Sequence, residues 1–296
     1  MAQNLLNALT LGSLYLLFAL GMSVAWGTIG ILNFAHGSIF MFAAFAAYEL
    51  VQHVALPMPA MIAVGVLVGA ALSVFVQVLA FEPIQRRAAD PHKAELQILV
   101  GGIGIAIIPL SIAQHITKSV PFGYSTGSFR TITYDLGIVR VSNIQIVILV
   151  AALGLAALIG WWLRATRPGL ALRAIGVDPE VASMMGVDRR RLALGTMAVA
   201  GGLAGLAGVL LTYYLGSVAP ETGDGFLLKA FAVIILGGVG SIAGVVVGAM
   251  VLAGIETLVV VTTSGSWVRA IAFGLIFLML LVRPRGLLGR QEVRRT

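Results

Sequence analysis

The sequence contains no cysteine, and this absence excludes several kinds of chemistry at once. A chain without thiols has no disulfide, no thiolate ligand for a metal ion and no cysteine nucleophile. The common nucleotide-binding motifs are also missing from the sequence. The four histidines are scattered along the chain, at His36, His53, His92 and His115. We therefore expect no metal site, no cofactor bound by this chain and no enzymatic activity.

Charge is scarce as well. Only 10% of the 296 residues are charged, whereas a soluble domain carries about 25%. Hydrophobic residues make up 59% of the chain and the mean hydropathy is +1.01, values that exclude a disordered chain and a soluble globular protein. The 36 glycines suit closely packed transmembrane helices. The composition predicts an all-α, polytopic transmembrane helix bundle, with residues 1–296 forming one domain.

Uncharged runs locate the predicted crossings, since a helix needs about 20 apolar residues to span a bilayer. Residues 1–48 carry no charge and are long enough for two passes. Residues 230–255 form one or two passes, because a glycine-rich stretch interrupts them. Single passes are predicted in five further runs, at 57–81, 96–117, 144–163, 192–215 and 267–282. The total is eight or nine membrane passes.

Basic residues set the predicted orientation, because lysine and arginine accumulate in cytoplasmic loops. Most of the 19 lysines and arginines lie in residues 81–95, 164–191 and 283–296. We place these three segments, and hence the C-terminus, in the cytoplasm, and residues 118–140 outside. The net charge of +7 does not indicate a nucleic-acid partner, because the basic residues lie between apolar runs and do not form a stripe interleaved with aromatics.

The loop 164–191 contains a short predicted helix. Asp178 has the character of an N-cap, Pro179 suits the first helical position and Glu180 places an acid in the first turn. Gly186 is a suitable stop. The prediction is a cytoplasmic helix of about two turns within 178–186.

One face of this short helix is apolar, since Val181, Met184 and Met185 follow helical spacing. Two turns are too short to be stable alone, and exposed methionines adapt well to a partner's groove. The residues alone allow two interpretations. The helix either docks to a partner protein or is an ordinary amphipathic turn on the lipid surface.

Asn33 and His36 lie between glycines in an apolar stretch, at or near membrane depth. Such groups need partners or a water-filled cavity. They either line a ligand site on an unwound segment, as in transporters, or form a tight turn in which the asparagine caps the next helix and the histidine lies at an interface.

The acids give a weak signal. Glu49, Glu221 and Asp224 lie near predicted helix ends and most simply face water, and Glu256 is the one with the best prospect of facing the bundle interior. The chain lacks the repeated buried acids of a proton relay. An intramembrane enzyme would have to use His36 with Glu49 or Glu256, and no nucleophile supports it.

Glycines recur at intervals of four residues and so share helix faces. We expect them to permit close helix packing and to bind no ligand; the residues concerned are Gly201 with Gly205, Gly65 with Gly69, and Gly240 with Gly244 and Gly248.

Motifs along nearly the whole chain follow a characteristic order, namely Gly12-Ser13-Leu14-Tyr15, Asn33-Phe34-Ala35-His36-Gly37, Thr166-Arg167-Pro168-Gly169, Glu180-Val181-Ala182 with Gly186, Lys229-Ala230-Phe231 with Gly237-Gly238, and Arg283-Pro284-Arg285-Gly286. As a set they resemble LivH-type permeases, the membrane subunits of ABC importers for branched-chain amino acids. The Glu-Val-Ala sequence is similar to the coupling motif of these permeases, with Val181 in place of the first alanine. The similarity is poorest around 118–140.

The resemblance implies a non-catalytic half-transporter in the inner membrane. A LivM-like second permease would complete the pore, two ATPase subunits (LivG- and LivF-like) would hold ATP and magnesium, and a periplasmic binding protein would deliver the substrate. The coupling residues would be Asp178, Pro179, Glu180, Val181, Ala182, Met184, Met185 and Gly186. The predicted substrate pathway comprises Tyr15, Asn33, His36 and Glu256.

Two alternatives remain from the sequence. A permease of the same family could carry urea, short amides or other small carboxylates. A self-sufficient, ion-coupled secondary carrier or channel would need no ATPase.

Overall fold

The computed structural model describes residues 1–87, 91–124, 129–262, 267–283 and 286–289. The described part is an α-helical bundle, as expected, with one small hairpin. Its helices are α1 (Ala2–Ile29), α2 (His36–His53), α3 (Met58–Val76), α4 (Glu82–Arg87), α5 (Pro91–Thr117), α6 (Asn143–Ala165), α7 (Arg167–Val177), α8 (Pro179–Met184), α9 (Arg189–Leu215), α10 (Thr222–Gly237), α11 (Ile242–Thr262) and α12 (Val268–Val282). A π-helical turn, Gln77–Phe81, joins α3 to α4. The hairpin pairs β1 (Thr133–Asp135) with β2 (Arg140–Ser142) in antiparallel fashion.

Six segments in the described ranges are long and apolar enough to cross a membrane. They are Ala2–Gly27, Met58–Arg87, Lys93–Thr117, Asn143–Ala165, Arg189–Leu215 and Ile242–Thr262. Helices α2, α10 and α12 are also apolar but shorter, with 18, 16 and 15 residues. The structure thus supports a polytopic bundle, and the number of eight or nine passes stays a prediction.

Contacts between distant segments define one end of the bundle. The Gln3 side chain exchanges hydrogen bonds with the backbone of Arg140, and Phe122 pairs with Val218 in a β-bridge. The N-terminus, the hairpin and the α9–α10 connection therefore share this end. We call it the hairpin end.

A second set of contacts defines the opposite end. Arg190 forms an ion pair of 2.8 Å with Glu82, and the backbone of Leu287 donates a hydrogen bond to Leu236. The arginine-rich loop thus lies against the start of α4, and the residues after α12 lie against the end of α10. We call this the loop end. Of the predicted tail 283–296, residues 284–285 and 290–296 lie outside the described residues.

Helix α1 is the central element of the bundle and packs against α6, α9, α10 and α11. Its sequence is apolar on every side, which is the pattern of a helix surrounded by other helices. Leu14, Leu16, Leu17 and Phe18 are all fully buried. Groups that α1 carries at mid-length are therefore at the centre of the bundle.

Glycine contacts bring α3 and α9 together at backbone distance. A methyl group on Gly205 would overlap the carbonyl oxygen of Gly65, and one on Gly201 would overlap that of Gly69. On α11, a methyl group on Gly244 would likewise overlap the carbonyl oxygen of Gly237 in α10. Backbones approach this closely only where side chains are absent.

Gly248 follows the same pattern, since a methyl group there would overlap the Val233 carbonyl oxygen. Gly240 does not share that helix face, contrary to the expectation from spacing. It lies before the start of α11, with a φ of +73°, and backs onto Gly27 of α1. Its backbone turns the chain between α10 and α11, a conformation that glycine adopts without strain.

The connection between α1 and α2 turns back into the bundle. His36, the first residue of α2, lies against Phe18, whose ring centroid is 4.7 Å from the imidazole. Phe18 precedes the end of α1 by 11 residues, about 16 Å at 1.5 Å per residue. Residues 30–35 are non-helical and run back along α1 over this distance, and Ile31, Asn33 and Ala35 are buried. Irregular backbone at such depth is tolerated where protein surrounds it.

Candidate functional site

Two of the four predicted pathway residues meet at the centre of the bundle. The Tyr15 hydroxyl of α1 donates a hydrogen bond of 2.5 Å to Glu256 Oε2 of α11. Lys229 of α10 donates to the same carboxylate oxygen at 2.9 Å and also to the Tyr15 hydroxyl. We call these three residues the polar triad.

The polar triad contains a buried ion pair. The Glu256 side chain is 3% exposed and that of Lys229 is 23% exposed. Tyr15 lies 13 residues from the first residue of α1 and 14 from the last, about 20 Å of helix on either side. Ionisable groups at such depth are rare, need partners, and mark functional sites in membrane proteins.

A cluster of aromatic rings packs beside the triad. The Phe226 ring makes an edge contact with Tyr15 at 5.4 Å and stacks on Phe40 at 5.1 Å. Phe18 contacts Phe226 and Phe40. The Lys229 ammonium lies 4.7 Å from the Tyr15 ring centroid, close enough for a cation–π interaction. The site therefore joins one ion pair to an apolar, aromatic wall.

Asn33 and His36 do not join the triad; they occupy the returning connection. Asn33 Oδ1 accepts a hydrogen bond from the backbone of Ala35, and His36 Nε2 donates to the Phe18 carbonyl at 3.2 Å. Both side chains are buried. The asparagine stabilises a local turn before α2, whose N-cap is Ala35 and has no side-chain cap hydrogen bond, and the histidine lies at an interface. Phe18 links the histidine to the aromatic wall of the triad.

Lys229 is the residue that the sequence reasoning did not assign to the site. The sequence contains a feature that could have identified it, because this lysine is the only charged residue between 225 and 255. A lone lysine within an apolar run requires a partner, and Glu256 is the first acid that follows it.

The predicted short helix is present as α8. The Asp178 carboxylate accepts hydrogen bonds from the backbone N–H groups of Glu180 and Val181, and Pro179 occupies the first turn. The helix ends at Met184, and Gly186 follows with a φ of +84°. These local features agree with the predicted cap, start and stop. The preceding residues form a further helix, α7, which begins at an N-cap by Thr166.

The apolar face of α8 projects from the loop end. Met184 is 86% exposed and Met185 is 80% exposed, and Val181 is half exposed. Ala182 is the buried residue of the helix, which packs against α7. No other element of the described chain covers this patch of Val181, Met184 and Met185, which we call the exposed face of α8.

The other acids do not form a site. Glu49 and Asp224 are partly or fully exposed, and Glu221 accepts a hydrogen bond of 2.6 Å from Gln114 at the hairpin end. Among the described residues no group of three or more His, Asp or Glu side chains is arranged to hold a metal ion.

Residues 4–280 match the family described as the branched-chain amino acid transport system permease component. The high-affinity branched-chain amino acid transport system permease protein BraD of Pseudomonas aeruginosa is 30% identical, over 99% of this chain and 97% of its own length. The corresponding LivH proteins of Salmonella typhimurium and Escherichia coli are 28% and 29% identical, again over 99% of this chain and 97% of theirs. No solved structure matches the chain.

Proposed function

The chain belongs to the family of branched-chain amino acid transport permease components, and from this premise we propose that it is the permease subunit of an ABC importer. It would pass leucine, isoleucine, valine or similar neutral amino acids across the inner membrane by alternating access. The observation that carries the proposal is the family match over nearly the whole chain, together with relatives of this name that are aligned over almost their full length. Urea or short amides as cargo have no comparable support.

We propose that ATPase subunits bind at the loop end. The exposed face of α8, formed by Val181, Met184 and Met185, has the apolar and flexible character that suits a partner's groove. Helix α8 is joined to α7, which packs on α1 and α6. Movement of a docked ATPase pair would therefore reach the central helix through two packed elements. A ligand changes a conformational equilibrium only through different affinities for the two states, and ATP-dependent closure of the ATPase pair supplies that difference.

We propose nine membrane passes, with the N-terminus outside and the C-terminus inside. The bundle helices alternate between the hairpin end and the loop end, and α3 with α4 counts as one pass. The arginine-rich loop would then be cytoplasmic, in agreement with the accumulation of basic residues on that side. The hairpin end would receive the periplasmic binding protein. A LivM-like permease would complete the pore and LivG- and LivF-like subunits would supply ATP hydrolysis.

Reconstitution tests the proposed function. The permease is co-expressed with its second permease and ATPases, inserted into proteoliposomes and supplied with the binding protein. Uptake of radiolabelled leucine is expected only when ATP is present with magnesium on the ATPase side. Uptake that proceeds without ATP, driven by an ion gradient across the lone chain, would favour a secondary carrier instead.

A further inference from the structure

The polar triad retains unused hydrogen-bonding capacity. An ammonium group has three donors, and Lys229 uses two of them, on Tyr15 and Glu256. Glu256 Oε2 receives both partners, whereas Oε1 is buried without a hydrogen-bond partner in the described part of the chain. One cationic donor and one anionic acceptor are thus available side by side.

The triad is also accessible from one side. Lys229 is partly exposed, and it lies on the face of α10 that carries the exposed residues Asp224, Gly225 and Leu228. In the described chain this face of α10 is not covered by another helix at these positions. A ligand that approaches along α10 meets the ammonium first and the carboxylate behind it.

Charge balance limits the ligand that this arrangement accepts. An ion that inserted between Lys229 and Glu256 would leave one net charge in the bundle, and such a charge is strongly unfavourable at this depth. A zwitterion adds no net charge. Its carboxylate replaces Glu256 as a partner of the ammonium, and its ammonium pairs with the carboxylate, so every charge keeps an opposite neighbour.

The surroundings of the ion pair suit an apolar substituent on that zwitterion. Phe226 lies against Tyr15 and continues into Phe40 and Phe18. These rings offer no hydrogen-bonding groups, so a polar side chain would be desolvated there without compensation. An aliphatic side chain would only exchange one apolar contact for another.

We propose that Lys229 and Glu256, oriented by Tyr15, form the contact site for the α-carboxylate and α-ammonium groups of a neutral, aliphatic amino acid during its passage. This inference rests on the proposed function and extends it by naming the groups that touch the cargo. Lys229 and Glu256 are the contact residues, and Tyr15 is a positioning residue.

The test uses the assembled importer in proteoliposomes and the double variant Lys229→Met with Glu256→Gln. A purely structural pair tolerates neutral replacement of both partners, because no unpaired charge remains. A substrate site does not, and ATP-dependent leucine uptake is expected to fall at least tenfold, with stimulation of ATP hydrolysis by the loaded binding protein retained. Two exposed residues within α6, Val150 and Leu158, provide the control, and Val150→Met with Leu158→Met is expected to transport normally.

A photoreactive diazirine analogue of leucine supplies the direct readout. In the wild-type complex, trapped during turnover and irradiated, label is expected on the peptides of α1, α10 and α11 that contain the triad. Excess leucine and the double variant are each expected to abolish it. Label confined to other helices, or normal uptake by the double variant, overturns the inference. Absence of ATP-driven uptake by the wild-type complex instead contradicts the proposed function itself.

Discussion

Tyr15 and Glu256 are 241 residues apart in the sequence, yet their side chains are joined by a hydrogen bond of 2.5 Å. The contact connects the first helix of the bundle to α11, and Lys229 of α10 completes it. Three helices that share no local sequence relationship thus meet at one ionised cluster. The contact between these side chains therefore forms only when the three helices have packed together.

Removing one charge of this cluster is expected to destabilise the protein strongly. Glu256→Leu leaves the largely buried Lys229 ammonium without its partner, a loss of about 3 kcal/mol, the lower end of the range for buried pairs because this side chain is partly exposed. Adding Lys229→Met is expected to recover most of that loss, because no charge remains to be desolvated. Thermal unfolding in detergent measures both. The control Asp135→Leu breaks an exposed pair and should change stability by less than about 1 kcal/mol. An equal loss of stability in Asp135→Leu and Glu256→Leu would show that the buried ion pair contributes no more than the exposed one.

Close packing of α3 and α9 predicts that alanine substitution at two glycines of α9 has very different effects on stability. Gly205→Ala places a methyl group against the Gly65 carbonyl, and backbone must move to accept it. We expect a loss of about 1–3 kcal/mol or more. Gly195 has open space at its Cα, so Gly195→Ala should be neutral or slightly stabilising. Unfolding midpoints of the two variants in one detergent give the comparison, and a neutral Gly205→Ala would refute the close contact.

The exposed methionines of α8 are predicted to bind the ATPase subunits. Met184→Glu with Met185→Glu places charge on the exposed face of α8 without touching the bundle, because both side chains project outward. Association with the ATPases, measured by co-purification at graded concentrations, is expected to weaken by roughly tenfold or more, about 1.4 kcal/mol. Ile138→Glu is the control, since Ile138 is 82% exposed at the hairpin end. Unchanged binding by the methionine variant would exclude the proposed docking face.

The cap on α8 is predicted to control local order in the loop. Asp178→Ala removes an acceptor for two backbone N–H groups, which weakens a helix by about 0.5–2 kcal/mol. Amide hydrogen exchange of residues 180–185 should therefore become faster. Asp178→Asn keeps an acceptor oxygen and should exchange nearly as slowly as the wild type. If the alanine variant exchanges no faster than the asparagine variant, the cap does not hold the helix.

The lack of native cysteine makes the proposed orientation directly measurable. Single variants Gln3→Cys and Ile138→Cys should react with a membrane-impermeant maleimide added to intact cells with a permeabilised outer membrane. Met184→Cys should react only after the inner membrane is opened. The parent chain carries no thiol and serves as the blank. Labelling of Met184→Cys from outside would invert the proposed topology and remove the site for ATPases.

Hydropathy and capping rules predicted the elements that depend on local sequence. The long apolar runs became helices, and Asp178 with Pro179 began α8 where expected. Charge placed in loops was also informative, because two of the segments predicted to share a side meet in the ion pair of Glu82 with Arg190. These features follow from neighbours in sequence, and a single chain suffices to recognise them.

Features that depend on contacts between residues far apart in the sequence were harder to predict. The pairing of Lys229 with Glu256 joins two helices, and apolar spacing gives no sign of which face each presents. Gly240 has the spacing of a helical position but lies in a turn, because the chain reverses before α11 begins. The glycines and the asparagine around residue 33 indicated an unwound segment. They did not indicate that this segment returns into the bundle as far as Phe18.

That returning segment has a consequence for biosynthesis. Phe34 packs on the Phe231 ring and Gly37 on the backbone of Gly223, both of which lie in α10. At about 5–20 residues per second, α10 leaves the ribosome roughly 10–40 s after residues 30–37. Throughout this interval the segment has its partner Phe18 in α1 but lacks its partners in α10. The contacts that hold the start of the second helix against α10 therefore form only after most of the polypeptide has been made.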